Sequence, residues 1–152
     1  MYQTLLILHS LTRWLVLASL VYTIIISWKG YRTNRAFSGP DNAARHVTAT
    51  IAHIQLLLGL YLYMISPIVK LAPVEGSGIA GEPLFFRLVH IALMVVAIVI
   101  ITIGSARARR TGTDKSKYRT MLVWFSVALL IILIAIPWPF SPLAQRPYFR
   151  SF

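Results

Sequence analysis

Four histidines lie within or at the edge of long apolar segments of this chain: His9, His46, His53 and His90. A charged or titratable side chain in hydrocarbon costs roughly 3 kcal/mol on insertion scales, so each of these residues is a functional-site hypothesis. Two imidazoles on different helices at one depth could ligate a haem iron, and a single imidazole could bond a quinone carbonyl. The sequence therefore indicates a ligand held between helices.

Depth in the membrane separates the four histidines. His9 and His90 each lie about six residues inside a predicted helix, which places both roughly 9 Å below the same boundary. His53 falls near mid-membrane, and His46 falls at the opposite edge. The four therefore cannot share one compact metal site, and His9 with His90 is the predicted pair of axial ligands to a b-type haem.

Two arginines accompany this pair. Arg13 is one turn deeper than His9 on the same helix face, and Arg87 is one turn outward of His90. No Asp or Glu lies inside the four apolar segments, at residues 5–28, 47–69, 84–103 and 121–140, so the counter-anion of Arg13 must come from elsewhere. A haem propionate, a quinone oxygen, a phospholipid headgroup or a partner subunit could supply it. Arg87 could reach a second propionate.

The remaining histidines leave several alternatives open. His53 could ligate a second, deeper haem, with Met94 as a conceivable partner, or it could bond a quinone carbonyl. His46 could exchange protons at the membrane edge, because an ordinary imidazole titrates near neutrality, or it could be a simple interfacial residue. Each histidine also has a structural interpretation as an interhelical hydrogen bond, and Arg13 could extend its head group to the membrane surface.

Hydropathy predicts the elements that must position these residues. The chain of 152 residues is 57% hydrophobic and has a mean hydropathy of +0.71. It contains four apolar segments near the ~20 residues needed to cross a bilayer. We predict helices over residues 3–28, 40–66, 84–107 and 117–136, in an all-α antiparallel up-down four-helix transmembrane bundle that forms one domain over residues 1–152. The absence of cysteine excludes thiolate metal sites, iron–sulfur clusters and covalent haem attachment.

The net charge of +11 is distributed unevenly. Ten of the fifteen Lys and Arg residues lie in the first and third connections between the apolar segments, at residues 29–46 and 104–120, whereas three lie in the second connection and the C-terminal tail. By the positive-inside rule, both termini lie outside and the basic connections face the cytoplasm of a bacterial inner membrane. The basic connections are expected to face anionic lipid. A nucleic-acid partner is not expected, because the aromatic-interleaved basic surface that would bind it is absent.

Four stretches carry a family resemblance: LHSLTRWLVL, RHVTATIAHIQLLLGLYLY, ITIGSARARR and IPWPFSPLAQRPYF. They resemble a family of small four-helix membrane proteins from Bacteroidetes-type bacteria that are described as cytochrome b-like. The resemblance implies haem binding and electron transfer in an inner-membrane respiratory setting. By position it implies cofactor-binding roles for His9, Arg13, His46, His53 and His90.

The predicted function is that of a small b-type cytochrome-like membrane protein that binds haem b between its helices, with quinone as a conceivable further ligand, and takes part in respiratory electron transfer. It is expected to be an electron-transfer protein rather than an independent enzyme. The alternative is a non-catalytic accessory subunit of a larger respiratory or envelope complex, with other membrane subunits or further copies of itself as partners. A transporter is disfavoured, because the spans lack carboxylates and no inverted repeat appears.

Overall fold

The computed structural model describes residues 1–70, 82–141 and 144–148. The described residues form helices joined by short connections. The elements are α1 (Tyr2–Thr33), α2 (Gly39–Ile65), α3 (Pro67–Lys70), α4 (Glu82–Leu84), a π-helical segment (Phe85–His90), α5 (Ile91–Arg110) and α6 (Asp114–Ala135). The π-helical segment runs directly into α5, so the two form one continuous span.

Four of these helices are long and apolar enough to cross a membrane: Tyr2–Thr33, Gly39–Ile65, Phe85–Arg110 and Asp114–Ala135. The prediction of a multi-pass, all-helical membrane protein is therefore confirmed. Several helices extend beyond the predicted bounds because local caps define their ends. Asn34 adopts a left-handed conformation with φ 49° and ends α1. Thr113 accepts the backbone N–H of Ser116 at 3.3 Å and begins α6.

The connection between α1 and α2 is held by Asp41. Its carboxylate accepts the backbone N–H of Ser38 at 2.9 Å, which caps the start of α2. It also forms an ion pair with Arg35 at 2.6 Å and accepts the hydroxyl of Tyr118 at 2.8 Å. The hydrogen bond to Asp41 raises the pKa of Arg35 above its ordinary value. Asp41 thus joins the connection that follows α1, the start of α2 and α6 at this end of the bundle.

Neighbouring helices run antiparallel. Thr12, early in α1, bonds Gln55, late in α2, while Arg45, early in α2, bonds Ser105, late in α5. Each of α1 and α5 packs against both α2 and α6, so α1 and α5 lie diagonally across the bundle. We call the end that holds the start of α1 the chain-terminal end, and the end that holds the two short basic connections the basic end.

Unlike a water-soluble bundle, this bundle is apolar both in its interior and on its outer surface. Leu20, Ile101 and Phe125 are fully buried between the helices. Large apolar side chains also cover the outer surface, where Leu57 is 66% exposed and Ile134 is 68% exposed. Contiguous exposed apolar surface on this scale requires an apolar surrounding, as hydrocarbon provides.

Candidate functional site

A cavity of about 170 Å³ lies among the four long helices at the chain-terminal end. We call it the terminal cavity. Its wall is mostly apolar and includes His9 and Arg13 from α1, His90 from the π-helical segment, and Met94 from α5. An apolar cavity of ~150 Å³ holds one benzene molecule, so the volume of the terminal cavity matches a single six-membered ring. The structure thus brings the two depth-matched histidines and one of the two arginines to the same cavity.

The orientation of His90 is set by a backbone carbonyl. Its Nδ1 lies 2.8 Å from the oxygen of Ala135, and because a carbonyl only accepts, Nδ1 must carry the hydrogen. A neutral His90 therefore has its lone pair on Nε2. The Ala135 carbonyl is available because the residue four positions later is Pro139, which has no N–H to continue the helical bonds.

A second proline leaves a second backbone carbonyl of α6 without a helical N–H donor. Pro137 cannot donate to the carbonyl of Leu133, and the indole Nε1 of Trp138 donates to it instead at 2.8 Å. Side chains thus satisfy both carbonyls at the end of α6. The Pro-Trp-Pro sequence is the signal that creates these two acceptors and, through Ala135, fixes the tautomer of His90.

The orientation of His9 is set by Gln55. The Gln55 amide nitrogen donates to the His9 backbone carbonyl at 2.9 Å and lies 3.4 Å from His9 Nε2, while its oxygen accepts the hydroxyl of Thr12. Because this amide nitrogen presents only hydrogens, the facing Nε2 must be unprotonated, and the hydrogen of a neutral His9 lies on Nδ1. Gly59 makes room for the ring, since a Cβ there would lie 3.1 Å from His9 Cε1.

The Nδ1 atom of His9 is buried and has no hydrogen-bond partner within the described residues. A buried donor without an acceptor costs about 1–3 kcal/mol. His9 lines the terminal cavity, so a rotation of its ring would present this unsatisfied donor to a ligand, and His90 provides an acceptor nitrogen. A ligand that accepts at one position and donates at another would complete both.

Two arginines line the terminal cavity. Arg13 donates through Nη2 to the backbone oxygen of Tyr148 at 2.7 Å, so its head group contacts the C-terminal tail. Arg146, from the same tail, also lines the cavity, and its guanidinium lies 5.2 Å from the Phe86 ring. None of the described residues lining the cavity carries a carboxylate.

The other sequence-predicted residues lie elsewhere. His46 and His53 line a separate depression towards the basic end. The ring nitrogens of His53 lie 2.7 Å from the Ala49 oxygen and 3.1 Å from the Thr102 hydroxyl.

Two pairings suggested by the sequence are not assembled in this structure. Met94 lines the terminal cavity, whereas His53 lines the other depression, so the structure does not bring these two together. Arg87 is exposed and, among the described residues, is not part of the cavity wall. Their proposed roles stay predictions.

The positions of the possible metal ligands limit which metal groups the described residues could hold. Within residues 1–70, 82–141 and 144–148, no group of three or more His, Cys, Asp or Glu side chains could hold a metal ion. A haem iron needs only two axial ligands from the protein, so the His9 and His90 pair falls outside that criterion.

Sequence reasoning missed three parts of the site. These are the role of Gln55 in orienting His9, the Ala135 carbonyl, and the C-terminal tail at the cavity. The prolines at 137 and 139 could have indicated the Ala135 carbonyl, because they remove two helical donors.

Comparisons with protein-family models, curated proteins and solved structures find no match to this chain. The site geometry therefore carries the functional argument.

Proposed function

We propose that the terminal cavity binds the head group of a respiratory quinone and that the protein takes part in electron transfer in a bacterial inner membrane. The observation that carries this proposal is the opposite hydrogen-bonding character of the two histidines. His9 carries the buried Nδ1–H without an acceptor, which suits a quinone carbonyl once the His9 ring turns towards the cavity that it lines. His90 offers the Nε2 lone pair, which suits the O–H of the reduced quinol.

The size and surroundings of the cavity support the same ligand. Its volume of about 170 Å³ suits one ring. Leu60 lines the cavity and is also 37% exposed on the outer surface of α2, which gives an isoprenoid tail a route into lipid. Arg13 adds positive charge, which favours the electron-rich oxygens of a partly reduced ring.

Haem b is the second candidate, and a specific observation favours it. A metal-ligating histidine usually donates its other ring N–H to a carbonyl or carboxylate, as His90 does to Ala135. His9 on the diagonal helix would be the second axial ligand, and Arg13 would contact a propionate. A haem there would supply one-electron redox chemistry. Its porphyrin is larger than the single ring that the cavity volume matches, so the helices would have to move apart to admit it. Haem binding also requires His9 to turn an unprotonated nitrogen towards the iron, so the hydrogen now assigned to Nδ1 would have to move.

The uneven distribution of basic residues in the sequence supports a proposed orientation of the bundle in the membrane. With the basic end in the cytoplasm, both termini and the terminal cavity lie towards the periplasm. The electrons of a quinol would then pass to a redox protein outside this chain, so other membrane subunits or a second copy are the proposed partners.

Spectroscopy and ligand titration on the purified full chain in detergent test both candidates. Short-tailed ubiquinone and menaquinone analogues are titrated while the intrinsic tryptophan fluorescence is followed. Trp14 and Trp138 are each next in sequence to a residue that lines the cavity, Arg13 and Pro137, and their ring centroids lie 6.2 Å apart. We expect saturable quenching by the quinone analogues. His9→Leu should weaken binding about tenfold, the effect of losing roughly one hydrogen bond.

The matched control is His46→Leu, because His46 is exposed towards the basic end and should leave quinone affinity unchanged. A Soret band with a reducible α-band that disappears in His9→Leu and His90→Leu would favour haem instead. Colourless protein that binds no quinone would contradict both candidates and would favour the accessory-subunit alternative.

A further inference from the structure

A shallow depression of about 440 Å³ lies between α2 and α5 towards the basic end. Its described lining combines cationic, imidazole and hydroxyl side chains and contains no carboxylate. The lining residues are Arg45, His46, Ala49, Thr50 and His53 of α2, and Thr102, Ser105, Ala106, Arg109 and Arg110 of α5. We call this depression the α2–α5 cleft.

Arg45 is the buried cation of the cleft, with 6% of its surface exposed. Its guanidinium donates to the backbone oxygen of Ser105 at 3.0 Å, to the Ser105 hydroxyl, and to Asn42 Oδ1 at 2.8 and 3.2 Å. All of these acceptors are neutral. The ion pairs found in the described part of the chain, Arg35 with Asp41 and Lys117 with Asp114, lie elsewhere. A buried guanidinium thus lacks a counter-anion among the described residues.

Two further cations face the same cleft. Arg109 and Arg110 are exposed in the last turn of α5. The carbonyl end of a helix carries only about half a unit of negative charge. The three positive charges of the guanidinium groups exceed this negative charge. The hydroxyls of Thr50 and Thr102 add polar groups to the lining. This is a built environment for an anion with several oxygens.

The surface next to the cleft is apolar and exposed. On α2, the helical spacing that carries His46, Thr50 and His53 continues to Leu57, which is 66% exposed. On α5, Val99 lies one turn further from the basic end than Thr102 and is 48% exposed. A ligand that lies along both helices would place a polar head in the cleft and hydrocarbon against these side chains.

We propose that the α2–α5 cleft binds the phosphate of an anionic phospholipid, with its acyl chains lying along Leu57 and Val99. The phosphate oxygens accept from Arg45, Arg109 and Arg110. Basic pockets between transmembrane helices bind lipid head groups in this way. The site lies towards the opposite end of the bundle from the terminal cavity and is independent of what that cavity binds.

Thermal unfolding of the full chain in a neutral detergent tests the proposal. Phosphatidylglycerol, phosphatidylcholine and inorganic phosphate are titrated separately. We expect phosphatidylglycerol to raise the midpoint in a saturable, salt-sensitive manner. Replacing the two exposed arginines together, as Arg109→Gln with Arg110→Gln, should weaken the apparent affinity for phosphatidylglycerol at least tenfold.

The matched control is the pair Lys29→Gln with Arg119→Gln, which removes the same charge from exposed positions at the same end but outside the cleft. This pair should retain affinity within about twofold. An equal loss in both pairs would overturn a specific site in favour of diffuse attraction. Equal binding of phosphatidylcholine would overturn the requirement for an anionic head group. Saturation by inorganic phosphate at the same concentration as by phosphatidylglycerol would overturn the lipid as the source of the phosphate.

Discussion

Replacing either histidine of the terminal cavity by leucine should change stability in opposite directions. In ligand-free protein, His9→Leu removes a buried N–H that has no acceptor in the described chain, and this unsatisfied donor costs about 1–3 kcal/mol. The hydrogen bond from Gln55 to His9 Nε2 is long, at 3.4 Å, and Gln55 keeps its 2.9 Å bond to the backbone oxygen at position 9. Leucine has a similar bulk, so we expect a gain of about 1 kcal/mol.

His90→Leu should have the opposite effect. It removes the donor that satisfies the Ala135 carbonyl at 2.8 Å, and Pro139 cannot replace it. Leaving a buried carbonyl unsatisfied costs about 1–3 kcal/mol. The two variants should therefore differ in unfolding free energy by about 2 kcal/mol or more, although both lose a histidine from the same cavity.

The assay is unfolding of each variant by sodium dodecyl sulfate in mixed micelles, followed by tryptophan fluorescence, without and with a quinone analogue. Ligand at a hundredfold excess over its Kd should stabilise the unsubstituted chain by about 2.7 kcal/mol, and His9→Leu by much less. A loss of stability in His9→Leu as large as that in His90→Leu would refute the assignment of an unsatisfied donor. The proposed pairing of His9 with a ligand acceptor would then lose its basis.

Three further substitutions each test one contact in the structure. Gly59→Leu should place a side chain against the ring of His9 and abolish ligand quenching of fluorescence, while far-ultraviolet circular dichroism stays helical; full retention of binding would mean that the ligand lies elsewhere. Tyr118→Phe removes the hydroxyl that donates to Asp41 at 2.8 Å and should lower the unfolding free energy by about 1.5–3 kcal/mol, the range for a bond to a charged group; a change near zero in the same unfolding assay would contradict this. Trp138→Phe leaves the Leu133 carbonyl without its indole donor and should cost about 1 kcal/mol, whereas an exposed Trp28→Phe control should cost nothing measurable.

Particular residues mark where sequence reasoning succeeded. The four spans followed from hydropathy, since each apolar run must be buried in lipid whatever its neighbours are. The start of α2 was predicted at residue 40 and lies at Gly39, because the adjacent residues Ser38, Pro40 and Asp41 build the cap of this helix. The equal depth of His9 and His90 followed from the constant rise of a helix, and the structure brings both to the wall of one cavity.

Other residues show where sequence reasoning stopped. Arg87 lies one turn from His90, as Arg13 lies one turn from His9, yet the structure leaves Arg87 exposed and lines the cavity with Arg146 from the tail. Helical periodicity gives the face of a side chain but not the element that packs there. His53 illustrates the same limit, since a mid-membrane depth did not indicate that it would line a cleft between α2 and α5 with Thr102.

The sequence by itself determined the four apolar spans, the start of α2, the uneven distribution of basic residues and the matched positions of two histidines along their helices. These properties depend on local composition and on the regular geometry of a helix. Only the tertiary structure decided which nitrogen of each histidine carries a hydrogen. That choice depends on Gln55 and Ala135, which lie 46 and 45 residues away in the chain and come into contact only when the helices pack.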